Sequence, residues 1–330
     1  MSMLFRRLGF YVMAAFAAIT LNFFLPRMLP GNALDSLLAT MRTSQITKQE
    51  LAGLAANYGI GTNKSLLSQY FTYLGHTFTG NLGISTGNGS PVTTDLGTVL
   101  PWTIGLIGGA TLLSFLFGTL IGIMAGWRRG GVLDALVPVS AFFQAVPYFI
   151  LALLLAVVVG YELNWLPISG GYDTSRRVDP LIPGLNGPFV GSVLQHAVLP
   201  AITVVLASIA GWIVGMRNMM VTTMDEDYVL VAAAKGLARW RVIGIAARNA
   251  ILPTISNFTL SISLVVTGAV LVEIVFSYPG VGYEMFNAIE ATDYPLMQGI
   301  LLVITFTVLA ANFLADIAYV LLDPRSRREA

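Results

Sequence analysis

One short motif in the sequence has the spacing of a hydrolytic nucleophile. Gly83-Ile-Ser85-Thr-Gly87 matches the Gly-x-Ser-x-Gly turn that presents a serine between a strand and a helix in hydrolases. The surrounding loop is rich in Gly, Thr and Asn, without a strand and helix on either side, and the only histidines that could act as a base are His76 and His196. We interpret the match as coincidental and predict no catalytic residue in this chain.

Metal, thiol and nucleotide chemistry have no better support in the sequence. The chain has no cysteine, which excludes disulfides and zinc–thiolate clusters. The segment 61–65 has a lysine followed by a serine but lacks the spacing of a phosphate-binding loop. The formal net charge is only +1, so no basic surface indicates a nucleic acid. We therefore expect no metal, no bound cofactor and no nucleic acid.

The composition indicates that lipid surrounds much of the chain. Hydrophobic residues make up 55% of it and charged residues 11%, whereas soluble domains carry about 25% charged residues. A helix needs about 20 apolar residues to cross a hydrocarbon core. Six stretches approach or exceed this length, and they cover 8–25, 102–126, 135–160, 198–216, 255–276 and 296–322. The prediction is an all-α integral membrane protein with six transmembrane helices.

The positions of the positive charges predict the orientation. With the N-terminus inside, most of the 18 Lys and Arg residues fall in cytoplasmic segments, and both termini are cytoplasmic. The predicted organisation is a first transmembrane helix, an extracytoplasmic loop with short helices, a five-helix core with a cytoplasmic loop, and a cytoplasmic tail. These parts occupy 1–29, 30–100, 101–322 (cytoplasmic loop 219–253) and 323–330, with one short loop helix expected at 47–58.

The loop 219–253 contains signals for both ends of a short helix. Thr223 and Glu226 have the spacing of a capping box, Lys235 falls in the last turn, and Gly236 stands where a helix commonly ends in the left-handed conformation. Three acids crowd the predicted start, namely Asp225, Glu226 and Asp227. The pattern predicts a helix of about ten residues with defined ends.

The middle of this short helix, 228–234, is small and apolar on every side, so the helix needs cover from another surface. A helix lying on the inner leaflet would present a Lys/Arg face, whereas this one opens with three acids beside an anionic surface. We therefore favour docking to a cytosolic protein over passive membrane contact. A second, basic helix is predicted at 239–249, ending at Pro253.

Polar side chains in two predicted spans are candidates for a translocation path. Gln144 and Tyr148 flank Pro147, which should kink the third span because proline removes a backbone hydrogen bond. Asn257 and Ser261 lie one turn apart on the fifth span. Each of these side chains could face a pore or could join neighbouring helices, and the sequence leaves both interpretations open.

Two acids lie in or near the apolar stretches. Glu273 is near the outer end of its span and Asp316 is about two turns from the inner end of another. A proton relay would require several such groups through the middle of the membrane, and the sequence has none there. We interpret both acids as structural.

Several motifs together resemble one family, the permeases of binding-protein-dependent ABC importers. The loop residues Ala232–Ala234, Gly236 and Leu252-Pro253 are similar to its signature loop, although Leu230 stands where the short consensus has Glu. Other segments resemble its dipeptide/oligopeptide/nickel branch, and they are 29–31, 80–85, 227–229, 234–237, 273–282, 293–299 and 323–325. The resemblance extends over nearly the whole chain.

The resemblance implies a type I ABC importer permease fold with a cytoplasmic coupling helix, in a bacterial or archaeal cytoplasmic membrane. The implied partners are a second homologous permease, two ATP-binding subunits that hold ATP and Mg, and an extracytoplasmic substrate-binding protein. The residues implied in coupling to the ATP-binding subunits are Asp225, Glu226, Asp227, Tyr228, Ala232, Ala233, Ala234, Lys235 and Gly236.

The resemblance favours short peptides as the solute, with oligosaccharides as the alternative. Nickel is disfavoured because histidines are few and cysteine is absent. Two other classes of protein remain as alternatives. A channel would need a repeated pore motif or a ring of one charge, and an intramembrane hydrolase would need a paired nucleophile and base. Neither pattern is visible.

Overall fold

The computed structural model describes residues 2–28, 65–175, 180–268 and 270–322. The predicted loop helix at 47–58 and the predicted tail at 323–330 lie outside the described residues. Within the described part, the regular structure is helical apart from one isolated β-bridge between Ile84 and Pro91. The predicted all-α class is confirmed.

The helices are α1 (Ser2–Met28), α2 (Leu66–Phe78), α3 (Val92–Thr103), α4 (Gly109–Trp127), α5 (Leu136–Ala145), α6 (Tyr148–Leu155), α7 (Gly187–Met224), α8 (Asp227–Ala234), α9 (Arg239–Gly268), α10 (Val270–Val275), α11 (Val281–Glu290) and α12 (Tyr294–Leu322). Two π-helical segments, Ile104–Gly108 and Ala156–Glu162, follow α3 and α6.

Three helical runs of the described chain are long and apolar enough to cross a membrane, and they are Val92–Trp127, Gly187–Met224 and Tyr294–Phe313. They confirm three of the six predicted spans. The predicted third span is two helical pieces, Leu136–Ala145 and Tyr148–Glu162, bent by 102°. Pro147 begins this second piece with extended backbone, so the break is far sharper than a kink. The first span contains a shorter apolar helix, Gly9–Leu25.

Two predicted helix boundaries were wrong. The fourth span is not limited to 198–216, because α7 continues for 38 residues from Gly187 to Met224 with Pro200 inside it. The basic helix does not end at Pro253 either, since α9 continues through this proline to Gly268. A proline inside an apolar helix costs one backbone hydrogen bond, and packing against neighbouring helices can compensate for that loss.

The chain forms two compact units, of which the first contains residues 1–103 and 279–310. In this unit α1 packs on α2 through Phe23, which is buried with its ring 5.3 Å from that of Tyr70. Asn22 of α1 donates from Nδ2 to the backbone oxygen of Gln298 at 2.8 Å and to the Tyr73 hydroxyl at 3.2 Å. Side-chain hydrogen bonds therefore tie the apolar helix α1 to α2 and α12.

The core of the first unit joins α3, α11 and α12. Its buried apolar members are Val92, Leu96, Val99, Val281, Ala288, Leu296, Met297 and Ile300. The Thr103 hydroxyl at the end of α3 accepts a hydrogen bond from the Val281 backbone N–H at 2.7 Å. This bond satisfies one of the backbone donors that are left open at the start of α11.

The second unit contains residues 104–278 together with the described residues 311–322. Its central contact is between α4 and α7, which approach closely along Gly118, Gly122 and Gly126. The Ser208 and Ser114 hydroxyls, 2.9 Å apart, add a polar contact between the same two helices. Small residues let helix backbones approach in lipid, where van der Waals contact drives helix association.

Candidate functional site

The junction between α7 and α8 differs from the predicted capping box. Thr223 is buried in the last turn of α7 rather than at the start of the short helix, and Asp225 ends α7. Glu226 begins α8 with extended backbone and no side-chain capping bond, so of the three acids only Asp227 lies within the first turn of α8. The predicted capping box is wrong because α7 continues through Thr223 to Met224. The short helix has eight residues rather than about ten.

One face of α8 is covered by α7 and α9. Val229 is 1% exposed and Ala232 is also buried. Val229 belongs to an apolar cluster with side chains of α7 and α9, whose other buried members are Met216, Met220, Val242, Ala246 and Ala250. The burial of Val229 and Ala232 fixes which side of α8 turns away from the rest of the unit.

The opposite face of α8 is exposed although it is apolar. Leu230 is 56% exposed and Val231 51%, and Tyr228, Ala233 and Ala234 are exposed as well. We refer to these five residues as the α8 surface. Within the described chain, more than half of Leu230 and of Val231 is left uncovered by other residues. The predicted docking to a cytosolic protein would cover this area.

The end of α8 follows the prediction. The Lys235 N–H donates to the Val231 oxygen and the Gly236 N–H donates to the Ala233 oxygen, both at 3.0 Å. Gly236 has a φ of +74°, in the left-handed region that glycine adopts without steric cost. The predicted left-handed cap is confirmed.

An ion pair beside this junction was not predicted. Arg217 of α7 donates from Nη2 to Asp134 Oδ2 at 3.2 Å and makes a shorter bond from Nε to Oδ1. Asp134 lies between α4 and α5, and its Oδ2 also accepts the Gly130 N–H at 2.8 Å. The Arg217 and Gly130 hydrogen bonds lower the pKa of the Asp134 carboxyl to about 2. The folded-state pKa is depressed, so the pair is fully charged above about pH 4 and is lost only as the pH falls through about 2.

A second arginine connects the same two parts of the chain, but it lies on the segment between α4 and α5 and bonds to the end of α7. Arg129, in the segment that carries Asp134, donates from Nη2 to the Val221 backbone oxygen at 2.9 Å and to Asp225 Oδ2 at 3.2 Å. Val221 belongs to the last turn of α7, where the carbonyl groups lack partners within the helix. We name the Asp134, Arg217, Arg129 and Asp225 contacts the junction clamp.

The predicted path residues fall into two groups. Gln144 and Tyr148 lie on either side of the break between α5 and α6, and Gln144 is exposed while Tyr148 is half-buried. A methyl group on Gly211 of α7 would lie 3.6 Å from Gln144 Nε2, so this amide is next to the long helix. Asn257 and Ser261 belong to α9, but their side chains lie outside the described residues.

Ser85 of the hydrolase-like motif has a structural position. It is fully buried, and its hydroxyl donates to Asp293 Oδ2 at 2.5 Å. The same oxygen accepts the Gly87 N–H at 2.9 Å, and Oδ1 accepts the Leu296 N–H at 3.1 Å. The Asp293 carboxylate, 1% exposed, thus anchors the loop to the start of α12.

We expect Asp293→Ala to destabilise the protein strongly. It leaves the buried Ser85 hydroxyl and the buried Leu296 N–H without their acceptor, and each such group costs about 1–3 kcal/mol. Thermal unfolding of the detergent-solubilised chain measures the effect. Asp173→Ala is the control, because the Asp173 carboxylate accepts the Ser175 N–H and hydroxyl hydrogen bonds in an exposed turn. An unchanged melting temperature in Asp293→Ala would contradict the anchoring role.

Of the two predicted structural acids, the structure describes one side chain. Glu273 is completely buried in α10, and its backbone oxygen accepts the Tyr278 N–H at 2.8 Å. Burial, with a smaller contribution from Glu273, raises the pKa of Tyr278 to about 12. The burial of Glu273 is consistent with a structural role. The side chain of Asp316 lies outside the described residues.

Sequence reasoning missed the junction clamp and the α4 glycines, although both leave a signal. Arg217 is a lone charge near the end of a long apolar helix, and such a charge requires an acid partner. Gly118, Gly122 and Gly126 have the four-residue spacing of close helix contacts in membranes. Among the described residues, no group of three or more His, Asp or Glu residues is placed to hold a metal ion.

Comparison with known proteins agrees with these features. A family described as "Binding-protein-dependent transport system inner membrane component" matches residues 118–328. The di/tripeptide transport system permease of Pseudomonas aeruginosa is 35% identical over 100% of this chain and 99% of its own length. The dipeptide permease of Lactococcus lactis is 30% identical over 98% of both chains, and a probable D,D-dipeptide permease of Escherichia coli is 31% identical over 99% and 98%.

The matches to these relatives extend over nearly the full length of both chains. The family match, residues 118–328, includes the α8 surface and all four residues of the junction clamp. The chain belongs to the family of inner membrane components of binding-protein-dependent transport systems.

Proposed function

We propose that this chain is the permease subunit of an ATP-driven importer of short peptides and forms half of the translocation pathway with a second, homologous permease. The observation that carries the proposal is the α8 surface, an exposed apolar helix face held in place by a buried face on α7 and α9. A surface of this kind is built to be covered by a partner protein.

ATP-binding subunits are the partners that we assign to the α8 surface. Exposed alanines at 233 and 234 permit close approach, and Leu230 and Val231 supply apolar area that binding would remove from water. Charged residues flank this area, namely Asp225, Glu226 and Asp227 before it and Lys235 after it. These charges set the orientation of docking. ATP and Mg then bind to the partner subunits, and this chain acts as a non-catalytic component.

Coupling follows from the attachment of α8 to α7. Closure of the ATP-binding subunits moves α8, and α8 shares an apolar cluster with the 38-residue helix α7. A long helix packed along its length moves as a rigid body, so the movement reaches the membrane-spanning part. This rocking would alternate the bundle between inward-open and outward-open arrangements, with an extracytoplasmic binding protein delivering the solute.

Short peptides are favoured over oligosaccharides by the names of the relatives. The three relatives described above are named as di/tripeptide, dipeptide and D,D-dipeptide permeases. They align with this chain over nearly all of its length, so the similarity is not restricted to a shared coupling loop. No oligosaccharide permease is among these three.

Six spans with both termini in the cytoplasm complete the proposed topology. The three clear spans, the bent pair and α1 account for five crossings, and α9 with α10 supplies the sixth. This arrangement puts α8 and the positively charged segments on the cytoplasmic side.

The break between α5 and α6 is the part of the described chain that we assign to the pathway. Non-helical backbone at membrane depth is tolerated where it is buried in protein or lines a water-filled cavity. Val146 and Pro147 are non-helical there, and Gln144 and Tyr148 place polar groups beside them. We propose that these two side chains line the path, with Asn257 and Ser261 of α9 beside it.

The proposed function is tested by affinity purification of the tagged chain from native membranes in mild detergent. We expect a second permease and ATP-binding subunits to copurify, and the reconstituted complex with its binding protein to take up dialanine only with hydrolysable ATP. Maltotriose in place of dialanine tests the oligosaccharide alternative. Reproducible recovery of the chain alone, from conditions that preserve a known importer complex, would contradict the proposal.

A further inference from the structure

The junction clamp joins the segment between α4 and α5 to the end of α7 in both directions. Arg217 reaches from α7 to Asp134, and Arg129 reaches from the Asp134 segment back to the Val221 oxygen and Asp225. The bonded residues are 83 and 96 positions apart in the chain. Two arginines therefore hold the final turns of α7 and the residue that ends this helix.

We propose that the Asp134–Arg217 ion pair is a positioning device that holds the α7–α8 junction in the orientation from which α8 couples ATP hydrolysis to transport. This inference rests on the proposed function, because it assigns the pair a role in the coupling step. Neither residue has to touch solute or nucleotide for this role.

The geometry separates this pair from an ordinary surface ion pair. The Asp134 and Arg217 side chains are only 15% and 27% exposed, whereas the Asp225 and Arg129 side chains are 75% and 51% exposed. The guanidinium binds both carboxylate oxygens, and the Gly130 N–H adds a third bond to Asp134. Two-point binding of a guanidinium fixes direction as well as distance, which a single exposed contact does not.

Arg217 lies at a point on α7 where a rotation of the helix would move α8. Arg217 follows Met216 and precedes Met220, and both methionines form the apolar cluster beneath Val229 of α8. It lies eight residues before Asp225, or roughly 12 Å along the helix axis. A rotation of α7 that moved Arg217 would also move the two methionines on which α8 rests.

The packing of α4 on α7 also supports a positioning role for the ion pair. A methyl group on Gly126, at the end of α4, would lie 2.8 Å from the Arg217 backbone oxygen. The helix that leads into the Asp134 segment is thus already in contact with α7 at Arg217. The ion pair locks this contact just before the chain turns into α8.

The test compares Asp134→Ala and Arg217→Ala with the double charge exchange Asp134→Arg/Arg217→Asp in the complete reconstituted complex. ATP hydrolysis and ATP-driven uptake of dialanine are measured in the same proteoliposomes. We expect each single variant to lower the uptake per ATP hydrolysed by about tenfold, within the range of typical coupling between sites. The exchange should restore much of this ratio. Arg128→Ala removes an exposed positive charge from the same segment and should leave the ratio unchanged.

A second measurement does not depend on transport. Because the chain has no cysteine, spin labels can be attached to Val132→Cys and Leu230→Cys, two exposed positions on the Asp134 segment and on α8. Pulsed electron–electron double resonance on the full chain should give a narrow distribution of distances between the two labels. The distribution should be broader with Asp134→Ala and narrow again with the charge exchange.

The outcomes separate this inference from the proposed function. Absence of ATP-driven uptake by the unmodified complex would reject the proposed function, and the spin-label distances would still test the positioning role. An unchanged uptake ratio in both single variants would overturn the inference. So would single variants that lose hydrolysis and uptake equally with unchanged spin-label distances, since the pair would then not position α8.

Discussion

Gly236→Glu should reduce ATP-driven uptake to background while the chain remains inserted in the membrane. Gly236 has a φ of +74°, and a side chain other than glycine pays about 1–2 kcal/mol in this left-handed conformation. The new carboxylate would also stand at the edge of the α8 surface, where binding of an ATP-binding subunit would bury it without a partner. Uptake of dialanine by proteoliposomes and copurification of the ATP-binding subunits measure the effect.

Two control variants separate the backbone effect from the interface effect. Asparagine tolerates the left-handed conformation and carries no charge, so Gly236→Asn should retain most of the uptake. Gly236→Ala adds the backbone cost alone, because no atom lies within 4 Å of the position of a new Cβ. We expect its effect to fall between those of the other two variants. Full uptake by Gly236→Glu would contradict docking at this edge of α8.

The sequence predicted the end of α8 correctly and its start incorrectly. The end was predictable because a left-handed cap is a local event, fixed by Gly236 and the turn before it. The start depended on where α7 ends, and the Thr223–Glu226 spacing could not show that α7 would continue to Met224. The cap was determined by the local backbone, whereas the start was determined by the length of α7.

The sequence could not identify which distant residues meet, because a local pattern can show that a side chain needs a partner but not which residue supplies it. Asp134 meets Arg217 across 83 positions, and Ser85 meets Asp293 across 208. In each pair, one partner looked ordinary in its own segment: Asp134 resembled a loop acid, and Ser85 resembled part of a chance motif. Apolar length, by contrast, is a property of a continuous stretch, and it correctly predicted three clear spans.

Gly122→Leu should prevent α4 from packing on α7 and should leave little folded protein. A Cβ on Gly122 would lie 2.7 Å from the Ile213 backbone oxygen and 2.8 Å from Met216 Cβ. The backbone oxygen cannot rotate away as the end of a side chain can, so the two helices must separate. Such overpacking costs about 1–3 kcal/mol, and leucine, with three carbons beyond Cβ, should be at the upper end of this range.

Alanine at Gly122 and alanine at a matched control position show whether the contact between α4 and α7 causes the loss of stability. Gly122→Ala already places its methyl carbon against the Ile213 oxygen and should lower the melting temperature of the solubilised chain. Gly108→Ala is the control, since Gly108 is exposed in the same helical run and a Cβ there meets no atom within 4 Å. Separation of α4 from α7 would also displace Met216, which is part of the cluster beneath α8. The Gly122 variants should therefore lower the uptake per ATP hydrolysed as well as the stability. Equal melting temperatures for Gly122→Ala and Gly108→Ala would refute the close contact between α4 and α7.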